Sequence, residues 1–600
     1  MILQSLYELY NRLSQDPDEY NIPPPGYSLQ KISFKIVLKP DGTLHAIEDA
    51  RKQSGKKLAP VPIIVPGYTK SSGSGFNPCF LWDNTGYMLG YKPNDKDPER
   101  TLQTFQSFRD KHLELMSEIN SPPYHAVCQF LKTWNPEKAT DYPIIEEIRT
   151  GFGVFQIVGQ TSYIHDDPVV KGWYLREKDR KTKNLMGQCL ITGRIAPISR
   201  LHEPKIKRVG DQAESLLVSF NDPAYESYGK EQSFNAPVSE DAAFRYATAL
   251  NALLDGPKRY KHRFSLADTT IVFWTKEPTT TEDIFAQFAT SGSITIERQE
   301  VQDESLRQKI ELFLKALRKG KEVYSEIEKA PDTTPFFILG LTGQAKGRIG
   351  VKFFYRDTIS HLLNNLRQHY ADMGIERQYG EDTKYPDPEF PALWQLLDET
   401  CSRKNGKPDR DKIPPILSGP LLRAVITGSQ YPEGLFSAVM RRIHADRIIN
   451  YIRACIIKGY LIRNQRKEVG MYLNEDNKDH AYRLGRLFAA LEKIQEEGFY
   501  QQTGRRLEHS IRDSYFSAAC ATPGVVFPRL ERLSTHHRRL LPLGRKTFFD
   551  KLIADIKWEQ SPPKSILNLQ EQGVFIMGYY HQRKMLFTKK EDQIQPNEEV

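Results

Sequence analysis

Residues 403–415, RKNGKPDRDKIPP, separate two stretches with different hydrophobic periods. Ahead of them, apolar residues alternate in short runs and also recur at helical spacing. Behind them, period-two alternation almost vanishes and only the 3.6-residue period remains. The segment itself carries charge, Gly and Pro with little apolar content, which is linker chemistry. The pattern predicts an α+β protein, with a mixed α/β N-terminal region followed by an all-helical C-terminal bundle. The expected divisions are 1–402, which could hold two subdomains, a linker over 403–417, and a bundle over 418–600. A chain of 600 residues is too long for a single core.

In the first region, Leu3, Leu6, Tyr10 and Leu13 recur as one helical stripe. Ile32–Leu38 and the turn at Pro40-Asp41-Gly42 predict a hairpin. Phe80–Trp82 and Tyr87–Leu89, across Asp83–Gly86, predict a second. Further strands are expected at Val61–Val65, Phe152–Val158, Gln188–Thr192, Leu216–Phe220, Thr269–Trp274, Phe336–Leu341 and Ile349–Tyr355. Helices are expected over 99–119, 124–134 and 143–149. Ser239, with Glu240 and Asp241 behind it, should cap a helix whose stripe is Phe244, Ala247, Leu250 and Leu254. In the second region, helices are expected over 435–462, 480–495, 504–521, 527–540 and 546–558.

Composition narrows the class. Hydrophobic residues at 39%, charged at 26% and aromatic at 11% suit a soluble folded protein. No 18-residue apolar run exists, so no membrane span is expected. The start, MILQSLYELYNRL, has no basic region and carries Glu8, unlike a secretory signal. Six scattered cysteines form no CxxC pair, which points to a reduced, cytoplasmic setting without zinc ribbon or disulfide framework.

Catalytic signatures are missing. Gly544-Arg545-Lys546-Thr547 departs from a P-loop, and Arg539 stands where its first glycine would be. Gly73-Ser74-Gly75 lacks the spacing of a nucleophile elbow. His165-Asp166-Asp167 lacks further ligands and runs into Pro168, as a turn does. His536-His537 point about 100° apart on a helix and do not share a metal well. No metal or other cofactor is expected.

Three loops carry contact chemistry. Lys70–Asn77 offers Lys70, Ser71, Ser72 and Asn77 on a glycine-rich backbone. Tyr225–Asn235 offers Gln232 and Asn235, whose amides can meet base edges, and Lys230, which can meet a phosphate. Gln344–Arg348 is a basic hairpin tip, where Lys346 and Arg348 could enter a groove or wedge a duplex. Each could equally be a loop that satisfies its own backbone.

The net charge of +9 is uneven. Between Arg441 and Lys467, eight Lys and Arg face only Asp446, and between Thr503 and Lys551 ten face four acids. Such helical surface attracts polyanions, although a solvated helix face has the same composition. Arg441, Arg442, Arg505, Arg506, Arg538 and Arg539 are the candidates for this basic surface.

Asn77–Asn84 with Tyr87–Gly90, Cys189–Gly193, Ser219–Glu240, Asp268–Trp274, Ala521–Phe527 and Gln572–Phe587 together resemble one family. It is the large subunit of the type I-C (Dvulg subtype) CRISPR Cascade complex, and the resemblance spans essentially the whole chain. It implies a non-catalytic DNA-binding protein for antiviral defence. Such a protein recognises the protospacer-adjacent motif in double-stranded DNA, promotes duplex opening and R-loop formation, and helps recruit a helicase–nuclease. The implied partners are crRNA, target duplex DNA, a repeated backbone subunit, a crRNA-handle-binding subunit and a small subunit. Guide pairing then reads sequence while the protein reads a short motif and the backbone.

On this reading Lys70, Ser71, Ser72, Asn77, Lys230, Gln232 and Asn235 lie near the motif, and Lys346 and Arg348 near the opening duplex. The basic bundle surface would line the displaced strand. Met471 is a candidate internal start, giving a 471–600 product that resembles a separately translated small subunit. The rival readings are a nuclease or RNA-processing enzyme with an unrecognised active site, and a protein scaffold without nucleic-acid contacts.

Overall fold

The computed structural model describes residues 1–54, 57–67, 75–181, 185–210, 212–266, 268–279, 282–283, 285–286, 333–344, 348–380, 383–388, 391–557 and 563–588. The molecule is α+β, with strands concentrated in the N-terminal part and helices beyond. It folds as two compact units. One comprises residues 1–263 and 342–350, the other residues 264–341 and 351–600. The expected division at 403 therefore falls inside the second unit.

The first unit is organised on the strand Tyr27–Leu38. One edge takes two antiparallel partners in succession, Val61–Pro66 along residues 27–32 and Leu44–Asp49 along residues 34–38. The other edge pairs in parallel with Phe152–Ile157, which in turn pairs with Trp82–Asn84. Phe34, Ile36 and Leu38 alternate onto one face and enter a core with Phe105, Phe108, Phe130 and Phe155. The helices Pro98–Glu114 and Pro122–Thr133 supply that cover. Each starts with proline behind a capping side chain. Asp97 accepts from the Arg100 amide at 3.1 Å and Ser121 from that of Tyr124 at 3.4 Å.

Three expectations fail here. Tyr87–Leu89 is not a strand but lies in the helix Thr85–Leu89, because the Asn84 side chain caps the Tyr87 amide and Gly90 closes the turn at φ +71°. Gln188–Thr192 is mostly a knuckle, and only Met186–Gln188 pairs, with Ile195–Pro197. The strand expected over Leu216–Phe220 lies earlier, at Gln212–Ser215, paired with Ile206–Val209. The expected cap does form. The Ser239 hydroxyl accepts from the Ala242 amide at 3.3 Å, starting the helix Glu240–Asp255. That helix packs on Ile2–Leu13, with Tyr10 edge-on to Phe244 at 5.9 Å and Arg245 over the Tyr10 ring at 5.2 Å.

In the second unit, Thr270–Thr275 pair antiparallel with Phe336–Leu341, and residues 351–358 lie next in that sheet. The helices Ile359–Met373, Pro415–Thr427, Glu433–Asp446, Tyr451–Gln465, His480–Thr503, Ile511–Ala521, Pro523–Arg539, Leu543–Ile556 and Leu569–Phe587 follow. Their apolar faces share one core that runs from Phe264 to Tyr580.

The single helix expected over 435–462 is two. Arg447 turns to φ +57° and Asn450 caps a fresh start by accepting from the Arg453 amide at 2.9 Å. Residues 403–415 are folded. Arg403–Lys404 and Lys407–Pro408 form a small hairpin, and Arg410 forks onto Asp398 with two hydrogen bonds of 2.9 Å.

Candidate nucleic-acid interface

The two basic stretches have opposite fates. The one between Arg441 and Lys467 is largely turned inward. Arg453 is 1% exposed and bonds Glu399 at 2.6 Å and Asp446 at 2.7 Å. Buried Lys458 donates to the Ala371 and Gly374 carbonyls, and burial lowers its pKa. Arg463 bonds Asp372 at 2.6 Å and lies over the Tyr431 ring at 4.3 Å. Arg442 is held by Asp446, which leaves Arg441, Arg447 and Arg466 exposed. The helical period carries cations inward as readily as outward, and buried carboxylates partner them there.

The stretch from Thr503 to Lys551 does form surface. Arg505 and Arg506 lie exposed beyond Gly504. On the helix Pro523–Arg539, Arg529, Arg532, His536 and Arg539 are exposed. Their spacing of three, four and three residues puts them within about 80° around the helix and spreads them over about 15 Å. Val526, Phe527, Leu530 and Ser534 occupy the opposite, buried face. Among the described residues, no carboxylate pairs with Arg505, Arg506, Arg529, Arg532 or Arg539. Arg538 differs, since it bonds Asp550 at 2.9 Å. Arg529 and Arg532 escaped the sequence reading, although their periodicity with His536 and Arg539 was the available signal.

In the first unit, the loop 221–235 is heavily self-bonded. Asn235 accepts from the Ser227 amide at 2.9 Å and donates to the carbonyls of Lys230 at 2.7 Å and Gln232 at 2.9 Å. Its side-chain amide therefore acts as a brace across the loop. The Gln232 carbonyl oxygen accepts from Arg200 at 2.7 Å, and its backbone amide donates to Glu226 at 3.0 Å. Among the described residues the Gln232 side-chain NH2 has no partner. Lys230 is exposed.

The loop's far end is pinned by the knuckle Cys189–Gly193, where Leu190 donates to the Pro237 carbonyl at 2.9 Å. Burial pushes the Cys189 thiol up, but donors on Ser239 and Thr192 outweigh it and bring the thiol down to about 7.

Lys70, Ser71, Ser72 and Lys346 lie outside the described residues. The stems of the 68–74 segment are well anchored. Trp82 donates to the Pro66 carbonyl at 2.7 Å, Lys111 to that of Pro78 at 2.5 Å, and the exposed Asn77 gives its amide to the Tyr87 hydroxyl at 3.2 Å. Arg348 is exposed. Gly343 packs on Gly210, so closely that a Cβ on Gly210 would meet it at 3.3 Å.

Of the motifs weighed for catalysis, the one at His165 is tied into the fold. His165 bonds the Ile64 carbonyl at 3.0 Å and stacks on Tyr163, and burial lowers its pKa. Among the described residues no group of three or more His, Cys, Asp or Glu is placed to hold a metal ion, and no helix is long and apolar enough to cross a membrane.

Among the described residues the chain thus presents a mixed α/β unit with a braced polar loop, and a largely helical unit with an exposed cationic helix face that no carboxylate pairs. Its sequence matches the family model for CRISPR-associated protein (Cas_Csd1) over residues 6–587, and the chain belongs to that family. Membership makes it a CRISPR-associated component of Cascade type. No curated protein matches the sequence.

Proposed function

We propose that this chain is the large subunit of a type I-C Cascade, a non-catalytic, cytoplasmic protein. In this role it recognises the protospacer-adjacent motif in duplex DNA, promotes opening and R-loop formation, and helps recruit the helicase–nuclease. Its partners would be crRNA, target DNA, the backbone subunit, the handle-binding subunit and a small subunit. The observation that carries the reading is the cationic face of the helix Pro523–Arg539. Exposed cations gathered on one face with no carboxylate paired to them repel one another, and phosphates relieve that repulsion. This face, with Arg505 and Arg506, would hold the displaced strand.

Motif reading goes to the first unit. Gln232 offers an amide NH2 with no partner among the described residues, and Lys70, Ser71, Ser72, Asn77 and Lys230 would join it at the motif. Asn235 supports them by bracing the loop. Lys346 and Arg348 would sit at the opening duplex. Met471 would begin a separate small subunit, and mass spectrometry of the purified complex should find a product starting there.

The test is binding of the crRNA-loaded complex to target duplex with and without the motif, across a salt series. Motif-dependent binding that weakens steeply with salt supports the reading. Cleavage of labelled DNA or RNA by the chain alone with Mg²⁺ or Mn²⁺ would favour an enzyme instead.

A further inference from the structure

Tyr228 is 98% exposed, the most exposed aromatic side chain among the described residues. It occupies the first central position of a two-residue turn closed by the Ser227–Lys230 bridge, with the Lys230 amide donating to the Ser227 carbonyl at 3.0 Å. Its φ is +54° and that of Gly229 is +66°, so both central residues are left-handed, as this turn type requires. Glycine adopts that conformation freely, whereas an aromatic residue is strained in it. The ring recovers nothing by burial, because it touches solvent on all sides.

The neighbouring chain holds the turn in place. The Asn235 brace bonds both its arms, at Ser227 and Lys230. Glu226 bonds the Gln232 amide, and Gln232, itself at φ +46°, is tied to Arg200. A strained, solvated ring on a braced support is preorganised to meet a flat partner. Charge narrows the choice. Asp222, Glu226 and Glu231 outnumber Lys230 in the loop, so phosphate attraction is weak at this tip and face-to-face stacking is the chemistry that remains.

We infer that Tyr228 is a stacking post for an unpaired nucleobase, with Lys230 beside it and Gln232 at the base of the loop. The inference rests on the DNA-binding reading above and names one interaction within it. Only a base free of its own stack presents the open face that such a post needs, so the post would act on locally opened DNA.

The test uses the full chain and two DNA probes that carry 2-aminopurine, one in a short unpaired bubble and one fully paired. Wild type should quench the bubble probe, whose unstacked base starts bright, and leave the paired probe, already dim from stacking inside the duplex, unchanged. Y228F keeps the ring and should quench equally. Y228A should lose the quench and bind the bubble about tenfold more weakly, while its affinity for paired duplex and its melting temperature stay unchanged. N235A, with the brace gone, should show partial loss.

Undiminished quenching by Y228A, in a chain that still binds both probes with a salt-dependent affinity, overturns the post alone. A wild-type chain that binds neither probe overturns the DNA reading and the post together. If Y228A leaves bubble binding untouched but abolishes assembly with the other subunits, the ring belongs to a protein interface and the post is wrong.

Discussion

Gly485 and Gly578 are a reciprocal pair at a close helix crossing in the bundle. A Cβ on Gly485 would run into the Phe575 carbonyl oxygen, and one on Gly578 into the Tyr482 carbonyl oxygen. The helices His480–Thr503 and Leu569–Phe587 therefore meet backbone to backbone, with no room for a side chain between them. Above this crossing the Tyr482 hydroxyl and His581 are 2.8 Å apart, and Arg486 donates to Gln582 at 2.9 Å.

Gly485→Ala or Gly578→Ala should therefore destabilise the second unit by about 3 kcal/mol, as overpacking against an immobile neighbour does. Gly544→Ala is the control, since a Cβ there meets nothing within 4 Å. Thermal melts of the three variants decide the matter, and equal melting temperatures would contradict the crossing.

Glu399→Ala should cost about 3–5 kcal/mol in denaturant unfolding, because it leaves the buried Arg453 guanidinium short of a partner. Arg453→Met removes the charge itself and should cost less than the Glu399 variant. The reverse order would mean that the pair contributes through attraction rather than by avoiding an unpaired charge.

Replacing Arg529, Arg532 and Arg539 together with Gln should flatten the salt dependence of DNA binding. The slope of log K against log salt should fall by about 2–3, roughly one for each phosphate that is no longer neutralised. The melting temperature should hold, since these side chains are exposed and bond no acid. An unchanged slope would remove this helix from the interface.

Acid should weaken both units. Burial pulls the imidazoles of His112 and His369 down to about 3, and those of His202 and His581 down to about 4. An unfolded imidazole titrates near pH ~6.5, so between these values the unfolded chain binds more protons than the native one. Stability is then full above about pH 6.5 and falls as pH drops towards 4, with each histidine contributing about 2 kcal/mol of loss by pH 5. Melts at pH 7.5 and 5.0 measure it. His202→Gln, which can still bond the Tyr246 hydroxyl, should show a smaller drop between the two.

Tyr228→Gly should raise stability by about 0.5–1 kcal/mol at pH 7, because glycine accepts the left-handed turn without strain. A fall in melting temperature would show that the tyrosine is supporting the loop.

The sequence revealed most where burial follows one period. The alternation of Phe34, Ile36 and Leu38 and the cap at Ser239 both lie where expected. It was silent where burial surrounds an element. Gly573–Gln582 is buried at every position, so Leu569–Phe587 has no polar face to betray its helix. Charge misled in a similar way. Arg453 and Lys458 look like surface in a charge run, and only the distant carboxylate and carbonyls of Glu399, Ala371 and Gly374 show that they are core. In the loop, Asn235 looks like a base reader until Ser227, Lys230 and Gln232 are seen to occupy its amide.

The helix Leu569–Phe587 also bears on any product that begins at Met471. Gly573 packs on Phe436 and Ile457, which lie ahead of that start, while Gly485 and Phe516 press on other sides of the same helix. A shorter chain would keep the second set of neighbours and lose the first. Its last helix would then carry a bare apolar groove shaped to Phe436 and Ile457. Such a fragment is unsaturated: it would stay soluble only by borrowing an equivalent pair of side chains from whatever it joins. Its place in an assembly would be dictated by that vacancy rather than by its charge.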